Sequence, residues 1–528
     1  MTPDQRLSPS TTAVAPRTAG AEAPILVPGD TCWCIGRARH VSLIVDAKDY
    51  FTAAKTVMRS ARHRLMLVGW DFDLRIRLEP DRPDAHLPDT LGLFIQHLIA
   101  CRPGLRAYIL KWDMAMLKTI ARQIVPLLAM HWITMPRIRF RLDSRHPLDA
   151  CHHQKLLVID DSVAFCGGID MTRDRWDTPS HREGDPHRRE PNGHLYGPFH
   201  DVAAMFDGEA AAALGALARR RWHLAGGERL KPPPPHRVDW PADVPVSLRD
   251  VDIAIARTEP AYGGVPGADE IERLYLAAIA AARRTIYLES QYLSSRAIHD
   301  ALARRLGEPD GPEIIVVNPE SAEGWLESWS MDTARSRIVH ALRRADRHGR
   351  FRIYHPVNAA GTPIYVHAKV MVIDDRLLRV GSSNLNNRSM GFDTECDIAI
   401  DAVGQPDEPA VRTAIAGFRS RLLAEHLDVS TEELEAETVA AGSLIGAIDR
   451  LRRDRGRTLL PLRVRPIGDT EAALVDLRLF NPESPKRREK RIEHLLKLVA
   501  PRGGPLVAGV AIGLCLGLAA RRRRAAGR

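Results

Sequence analysis

A short pattern, His-x-Lys-x-x-x-x-Asp, occurs twice in this chain and limits the folds that it can adopt. The pattern supplies six residues: His153, Lys155 and Asp160 in the first copy, and His367, Lys369 and Asp374 in the second. Each copy also runs through Val-Ile-Asp-Asp and reaches a Gly-Gly or Gly-Ser pair seven residues after its Asp. Two matched copies in one chain of 528 residues predict a duplicated fold.

The residues around both copies predict an α/β fold. Residues 41–113 alternate strand-like and helix-like runs, and residues 270–320 repeat that order before the second copy. Each His-x-Lys pair leads into a short apolar run, residues 156–159 and 370–373, that suits a buried strand. On a strand, residues two apart share a face, so each His should lie beside its Lys.

Two imidazoles and two ammonium groups suit displacement at a phosphodiester. A neutral imidazole can attack phosphorus, and a second imidazole can protonate the leaving oxygen. Two lysines can stabilise the charge that develops on the non-bridging oxygens. We therefore predict that the two halves pack so that both His-x-Lys pairs surround one phosphate.

These motifs resemble those of the phospholipase D superfamily, and within it the phosphatidylcholine-type enzymes. The residues that carry the resemblance lie at 68–73, 152–161, 167–170, 287–293, 365–375 and 381–390. The resemblance implies a duplicated phospholipase D fold, with two α/β sheet domains packed in pseudo-two-fold symmetry around one active site. It also implies a phosphohistidine intermediate and no metal or cofactor. By the same resemblance His153 is the nucleophile and His367 the general acid and base, and the symmetry of the site leaves the reverse assignment open.

Further site residues follow from aligning the two motifs with each other. Ser382 and Asn384 are expected to contact the substrate, and Gly168 and Asp170 occupy the matching positions in the first half. An aspartate departs from the Asn that the superfamily commonly has there. Because an ionised Asp170 would repel a phosphate, we expect it to hold a lysine or a backbone amide.

An attacking imidazole needs its second ring nitrogen held by an acceptor. The resemblance assigns that role to Glu395, and Asp201 is its expected counterpart in the first half. Residues near strand ends add four candidates for lining the cleft: Trp70, Asp71, Glu289 and Gln291.

Shifts in composition divide the chain into six predicted segments. Residues 1–28 lack the apolar stretch of a secretory signal peptide and are predicted to be a disordered leader. The other segments are an N-terminal domain (29–225), a linker with four consecutive prolines (226–245), a C-terminal domain (246–426), a helical or irregular extension (427–485) and a tail (486–528). A polar stretch within the first domain, residues 177–198, is expected to be a loop that could lie over the site.

The tail is basic at first and then apolar. Fifteen uncharged residues run from Leu506 to Ala520 and are followed by four arginines. As a helix this run would cover roughly 22 Å, less than the ~30 Å hydrocarbon core of a bilayer. Three readings stay open: a short membrane anchor, an interfacial helix, and a helix packed on a protein partner. With a net charge of +9, the membrane readings predict association with the cytoplasmic face of a membrane.

The leading functional prediction is a phospholipase D that releases phosphatidic acid and a free headgroup alcohol, with transphosphatidylation when an alcohol competes with water. A cardiolipin synthase-like phosphatidyl transferase would use the same residues, although the N-terminus lacks the hydrophobic segments usual in such enzymes. A superfamily nuclease is a further alternative. Because no basic groove interleaved with aromatics is visible outside the tail, nucleic acid is not the expected partner. Seven scattered cysteines offer no four-ligand zinc set.

Overall fold

The computed structural model describes residues 22–113, 135–322, 325–465 and 481–485. The first half contains eight strands and three helices within these ranges: β1 (Cys34–Val45), α1 (Ala47–Met58), β2 (Arg64–Gly69), α2 (Leu91–Cys101), β3 (Arg106–Trp112), β4 (Ile138–Asp143), β5 (Leu156–Ile159), β6 (Val163–Gly167), β7 (Phe199–His200), β8 (Val202–Asp207) and α3 (Gly208–Leu224).

The second half begins after residues 226–245, which form no regular element, at the place predicted for the linker. Its described strands are β9 (Leu248–Glu259), β10 (Ala268–Asp269), β11 (Thr285–Glu289), β12 (Leu293–Ser294), β13 (Glu313–Val317), β14 (Phe351–Val357), β15 (Tyr365–Val366), β16 (Val370–Ile373), β17 (Leu377–Gly381), β18 (Leu385–Asn386), β19 (Glu395–Asp401) and β20 (Thr458–Pro461). Its described helices are α4 (Glu270–Ala281), α5 (Arg296–Gly307), α6 (Trp325–Ala345), α7 (Asn387–Gly391), α8 (Glu408–Leu427), α9 (Thr431–Ala441) and α10 (Leu444–Leu451).

One large sheet contains both halves. From the centre outward the first half runs β1-β8-β6-β5-β2-β3-β4, and the second half runs β9-β19-β17-β16-β11-β13-β14 before β20 extends the edge. Equivalent strands therefore occupy equivalent places, as the duplication predicts. The halves join where β1 pairs antiparallel with β9, as a local two-fold axis between equivalent strands requires. The two predicted α/β domains are thus continuous, edge to edge, rather than separate sheets.

Both faces of this sheet are covered, so most of its strands are apolar throughout. The face under α3 and α8 carries one core to which both halves contribute. The other face carries two cores, one packed against α1 and α2 and one against α4 and α5. In β5 the side chains of Leu156 and Val158 enter the shared core, and those of Leu157 and Ile159 enter the first-half core. Because alternate side chains enter opposite cores, the orientation of β5 in the sheet is fixed, and β5 directly follows the first His-x-Lys pair.

Two predicted segments need correction. Residues 22–28 do not form a disordered leader: Ile25 is buried, and its backbone N–H donates to Asp401 Oδ2 at 3.1 Å. The extension after residue 426 adds β20 to the sheet through pairing with β14. The tail from residue 486, with the apolar run from Leu506 to Ala520, lies outside the described residues, as do residues 1–21. No helix in the described part of the chain combines the length and apolarity needed to cross a membrane.

Candidate active site

The two His-x-Lys pairs stand at equivalent places, immediately before β5 and β16. Burial and the charges of both Lys155 and Lys369 lower the pKa of His153 well below its usual range. Burial also lowers the pKa of His367, together with Lys369, Arg175 and Lys155. Because both lysines affect the pKa of each imidazole, the two His-x-Lys pairs lie within electrostatic reach of each other.

Backbone contacts between the halves hold the histidines in place. The N–H of His153 donates to the carbonyl oxygen of Thr394 at 2.8 Å, and the N–H of His367 donates to that of His200, also at 2.8 Å. The second contact continues the short parallel pair β7–β15. Each histidine thus lies beside the residue that follows its carbonyl partner, Glu395 in one case and Asp201 in the other.

These two residues are the carboxylates that orient the rings, and each comes from the opposite half. His153 Nδ1 is 2.9 Å from Glu395 Oε2, and His367 Nδ1 is 2.7 Å from Asp201 Oδ2. With Nδ1 held, Nε2 of each ring is the nitrogen left for chemistry. The sequence analysis identified both acids but did not assign each to a particular histidine.

The surroundings of the two acids differ. Glu395 accepts hydrogen bonds from the hydroxyls of Ser382 at 2.6 Å and Ser389 at 2.7 Å. Burial raises its pKa to about 8, against the opposing effect of those hydroxyls. Asp201 faces Gly168, where a Cβ atom would overlap the carboxylate, so this half has no room for a serine. Burial raises the pKa of Asp201 to about 6, and the positive charge of Lys369 opposes the rise.

The two lysines are also unequal. Lys155 Nζ lies 3.0 Å from Asp170 Oδ2, and Asp170 Oδ1 accepts the backbone N–H of Trp70 at 3.1 Å. Asp170 therefore holds both a lysine and a backbone amide, the two roles expected for it. Lys369 donates to the carbonyl oxygen of His367 and forms no salt bridge with any carboxylate of the described residues. Burial lowers the pKa of Lys369 to about 7, although Asp201 favours its charged form.

Asn384 occupies the position that matches Asp170. Its backbone N–H donates to Ser389 Oγ at 3.0 Å. Its side-chain Oδ1 is buried and has no hydrogen-bond partner among the described residues. The second half thus places a neutral amide where the first half places a carboxylate, and so Lys369 keeps more uncompensated charge than Lys155.

The aspartates of the two motifs do not reach the site, which corrects their assignment as catalytic residues. Asp160 accepts the backbone N–H groups of Arg62, His63 and Arg64 at 2.5–2.9 Å. Asp374 does the same for residues 283–285 at 2.7–3.0 Å. At ~3.3 Å per strand residue, a four-residue strand puts each Asp on the order of 15 Å from its His. Both aspartates anchor the start of the neighbouring strand.

Of the four cleft candidates, three have half-buried side chains and lie just after a strand: Trp70, Asp71 and Gln291. Trp70 stacks on Trp112 with ring centroids 5.9 Å apart. Asp71 forms a salt bridge of 2.5 Å with Lys111. Gln291 Nε2 donates to Tyr365 Oη at 2.7 Å.

The fourth candidate, Glu289, does not line a cleft. It is fully buried, with its oxygens 3.0 Å from His200 Nε2 and 3.0 Å from His426 Nε2. The sequence analysis also missed Ser389, which holds Glu395, and Arg175, which lowers the pKa of His367. Ser389 lies in the stretch 381–390 that carries the resemblance, so a test of every hydroxyl there would have found it. Arg175 has no signal in the sequence.

Comparison with known proteins points to one superfamily. The family model for phospholipase D matches residues 349–443, which include the second motif and Glu395. This match and the curated relatives named phospholipase D support a member of the phospholipase D superfamily.

The relatives it resembles carry two kinds of name. Phospholipase D alpha 1 of Carica papaya is 26% identical over 72% of this chain and 64% of its own length. Phospholipase D1 of Schizosaccharomyces pombe is 23% identical over 75% of this chain and 36% of its own length. Cardiolipin synthase A of Escherichia fergusonii is 24% identical over 74% of this chain and 72% of its own length. The chain thus spans between about a third and two thirds of the phospholipases D it matches.

Among solved structures, the phosphatidylserine synthase of Haemophilus influenzae Rd KW20 aligns with a TM-score of 0.47 and 11% identity, covering 71% of this chain and 85% of that one. Nuc of Salmonella typhimurium, a phospholipase D family member, aligns with a TM-score of 0.22 and 14% identity over 32% of this chain and 93% of that one.

Proposed function

We propose that this protein is a phospholipase D that hydrolyses glycerophospholipids to phosphatidic acid and a free headgroup alcohol. The observation that carries the proposal is the crosswise arrangement of the two histidines, each held at Nδ1 by a carboxylate of the opposite half. The two buried lysines of the motifs supply the positive charge that a phosphodiester requires. The names of the relatives support a lipid as the substrate.

The reaction divides into two displacements. Nε2 of His153 attacks phosphorus, the bond to the headgroup oxygen breaks, and His367 transfers a proton to that oxygen. His367 then removes a proton from water, which attacks the phosphohistidine and releases phosphatidic acid. An alcohol that replaces water gives a phosphatidyl alcohol by the same step.

Substrate binding prepares the histidines for these roles. The pKa values of both histidines lie well below the usual range, so both rings are neutral at neutral pH and either can act as a nucleophile. An anionic diester between the lysines offsets their charge, which raises the histidine pKa values and lets one ring carry the proton that the leaving group needs. We assign attack to His153 because its side chain is 15% exposed, against 7% for His367.

The activity test uses vesicles of labelled phosphatidylcholine, phosphatidylethanolamine or phosphatidylglycerol, with and without a primary alcohol, beside DNA. We expect phosphatidic acid from at least one lipid and a phosphatidyl alcohol when alcohol is added. His153→Asn and His367→Asn should each abolish turnover, and His355→Gln, at a buried histidine of β14, should not. Cleavage of DNA with no activity on any lipid would refute the proposal.

A cardiolipin synthase-like phosphatidyl transferase is the second candidate. The chain covers 72% of Cardiolipin synthase A of Escherichia fergusonii but 64% of the Carica papaya phospholipase D. The two candidates differ in the acceptor that attacks the phosphohistidine. Cardiolipin and glycerol formed from phosphatidylglycerol vesicles, with little phosphatidic acid, would favour the transferase.

A trapping experiment tests the roles of the two histidines. A phosphatidyl ester of p-nitrophenol needs no proton donor, because p-nitrophenolate leaves as a stable anion. In His367→Asn the covalent intermediate should therefore form and persist, since the base that activates water is missing. Mass spectrometry should find the added phosphatidyl group on the peptide that contains His153. Labelling of His367 in His153→Asn instead would reverse the assignment, and labelling in neither variant would exclude a phosphohistidine.

We further propose that the protein works at the cytoplasmic surface of a membrane, because its substrate resides there and its tail is basic and apolar in turn. Co-sedimentation with anionic vesicles, compared between the full chain and a chain ending at residue 485, tests this. Equal sedimentation of both would exclude the tail as the membrane contact.

A further inference from the structure

Four buried side chains meet directly behind the Asp201–His367 pair. They come from four separate parts of the fold: Asp46 between β1 and α1, His181 in the 177–198 segment, His200 in β7, and Glu425 in α8. The nearest ligand atoms of the four lie within 4.8 Å of one another. None of these side chains belongs to the two His-x-Lys pairs.

The separations fit a tetrahedral metal site. His181 Nε2 lies 3.3 Å from Glu425 Oε1 and 3.6 Å from Asp46 Oδ2. His200 Nδ1 lies 3.1 Å from Glu425 Oε1 and 3.2 Å from Asp46 Oδ1. Ligands about 2.0–2.1 Å from a tetrahedral zinc ion are separated from each other by roughly 3.3 Å. The four separations between a histidine nitrogen and a carboxylate oxygen, 3.1–3.6 Å, are distributed around that value. Both histidines face the same oxygen of Glu425, whereas Asp46 presents Oδ2 to His181 and Oδ1 to His200.

The outer nitrogens of both histidines are held as metal-bound histidines usually are. His181 Nδ1 is 2.9 Å from Asp177 Oδ2, and His200 Nε2 is 3.0 Å from Glu289 Oε2. A carboxylate at the outer nitrogen fixes the tautomer that leaves a lone pair on the inner nitrogen. The inner nitrogens, His181 Nε2 and His200 Nδ1, both face the same two carboxylates.

Two of the inward atoms form no hydrogen bond within the described residues. Asp46 Oδ2 is one of them, and His200 Nδ1 is the other, although it lies 3.1 Å and 3.2 Å from two carboxylate oxygens. Buried polar atoms without partners are costly, and native proteins satisfy the great majority of them. Both residues are fully buried, and both atoms point into the cluster.

We propose that these four residues bind one Zn²⁺ ion. Two imidazole nitrogens and two carboxylate oxygens in four-coordinate geometry suit zinc, whereas calcium takes six to eight oxygens and magnesium retains an octahedron of oxygens. The two carboxylates neutralise the ion, so the ion and its four ligands together carry no net charge.

The ion has a structural role beside the reaction site. The backbone N–H of Asp201 donates to Asp46 Oδ1 at 3.3 Å, and the N–H of Asp46 donates to the carbonyl oxygen of Asp201 at 2.8 Å. Two ligands, His200 and Asp46, thus adjoin or contact the carboxylate residue that orients His367. A bound ion ties the 177–198 segment, β7 and α8 together around that residue.

The test measures metal in the purified full chain after exhaustive dialysis. We expect about one zinc per chain, removed by a strong chelator and restored by Zn²⁺ but not Mg²⁺. Co²⁺ added to the chelated protein should give the visible absorption bands of a tetrahedral site. Loss of zinc should lower the melting temperature.

Variants locate the ion. His181→Ala and Glu425→Gln should lose the zinc and the cobalt bands, and His355→Gln, which changes a buried histidine outside the cluster, should keep both. If the first two variants fail to fold, the cobalt spectrum of the wild-type chain still decides the question. Protein that holds no zinc and gives no tetrahedral bands would show that the cluster is a hydrogen-bonded network of protonated histidines and carboxylates. Zinc retained by folded His181→Ala would place the ion elsewhere, and either result overturns the proposal.

Discussion

The unequal pairing of the two lysines predicts opposite effects of the same substitution on stability. The pKa of the fully buried Lys369 falls from 10.5 to about 7, mainly through burial. At about 1.4 kcal/mol for each pH unit, holding this ammonium in the fold costs on the order of 5 kcal/mol when it is charged. The cost applies in full below pH 7, shrinks between pH 7 and 10.5, and vanishes above that range.

Lys369→Met removes the charge and keeps a similar linear side chain. The free energy of unfolding should therefore rise relative to wild type, by about 2–3 kcal/mol more at pH 6 than at pH 9, because only the charged form is penalised. The lost hydrogen bond to the carbonyl oxygen of His367 lowers the gain by about 1–2 kcal/mol at every pH and leaves this difference intact. Turnover should be lost, so the variant would be more stable than wild type but inactive.

Lys155→Met is the matched control. The substitution removes the ammonium group of Lys155 and leaves the buried carboxylate of Asp170 without its cation, which should destabilise the fold by roughly 3–5 kcal/mol. Urea unfolding followed by circular dichroism, with both variants and wild type at pH 6 and pH 9, measures all these quantities. A stability gain for Lys369→Met that is the same at both pH values, or a loss at pH 6, would refute the electrostatic reasoning.

Two further substitutions separate orientation from anchoring. Asp201→Asn should lower kcat by about 10²–10⁴ at pH 7 with little change in KM, because the amide no longer holds the tautomer of His367. Wild-type activity should likewise decline as the pH falls, first through about pH 8, where Glu395 gains its proton, and further below about pH 6, where Asp201 does. An unchanged kcat of Asp201→Asn in steady-state assays would exclude the orienting role. Asp160→Ala leaves three backbone N–H groups without their acceptor and should lower the free energy of unfolding by about 3 kcal/mol or more. Thermal or urea unfolding measures this loss, and the protein that remains folded should keep the wild-type kcat. A loss of kcat with unchanged stability would show that Asp160 is catalytic.

The duplication is predictable from the sequence because it depends on local patterns of residues. The two matched motifs, the apolar runs after them and the order of elements depend on neighbours within about ten residues, where strand alternation acts. The expectation that Asp170 holds a lysine was also local in origin, since it followed from matching Asp170 with Asn384 and from charge repulsion alone. The observed contact with Lys155 agrees with it.

The motif aspartates show where that reasoning failed. Asp160 and Asp374 recur as regularly as the histidines, so spacing alone gave them the same importance. Their positions at the far ends of β5 and β16 make them anchors for the chain at residues 62–64 and 283–285. A residue that recurs in both halves can stabilise the fold of each half or take part in the reaction. The end of the strand at which the residue lies shows which of these roles it has.

Each half-site is predictable from the amino-acid sequence, because a His-x-Lys pair at the start of a buried strand is a local arrangement. The pairing of each acid with its histidine, the position of Glu289 beneath the site, and the meeting of Asp46, His181, His200 and Glu425 are visible in the folded chain alone. These contacts join residues far apart in the chain, and they form when β1 pairs with β9 and β7 pairs with β15.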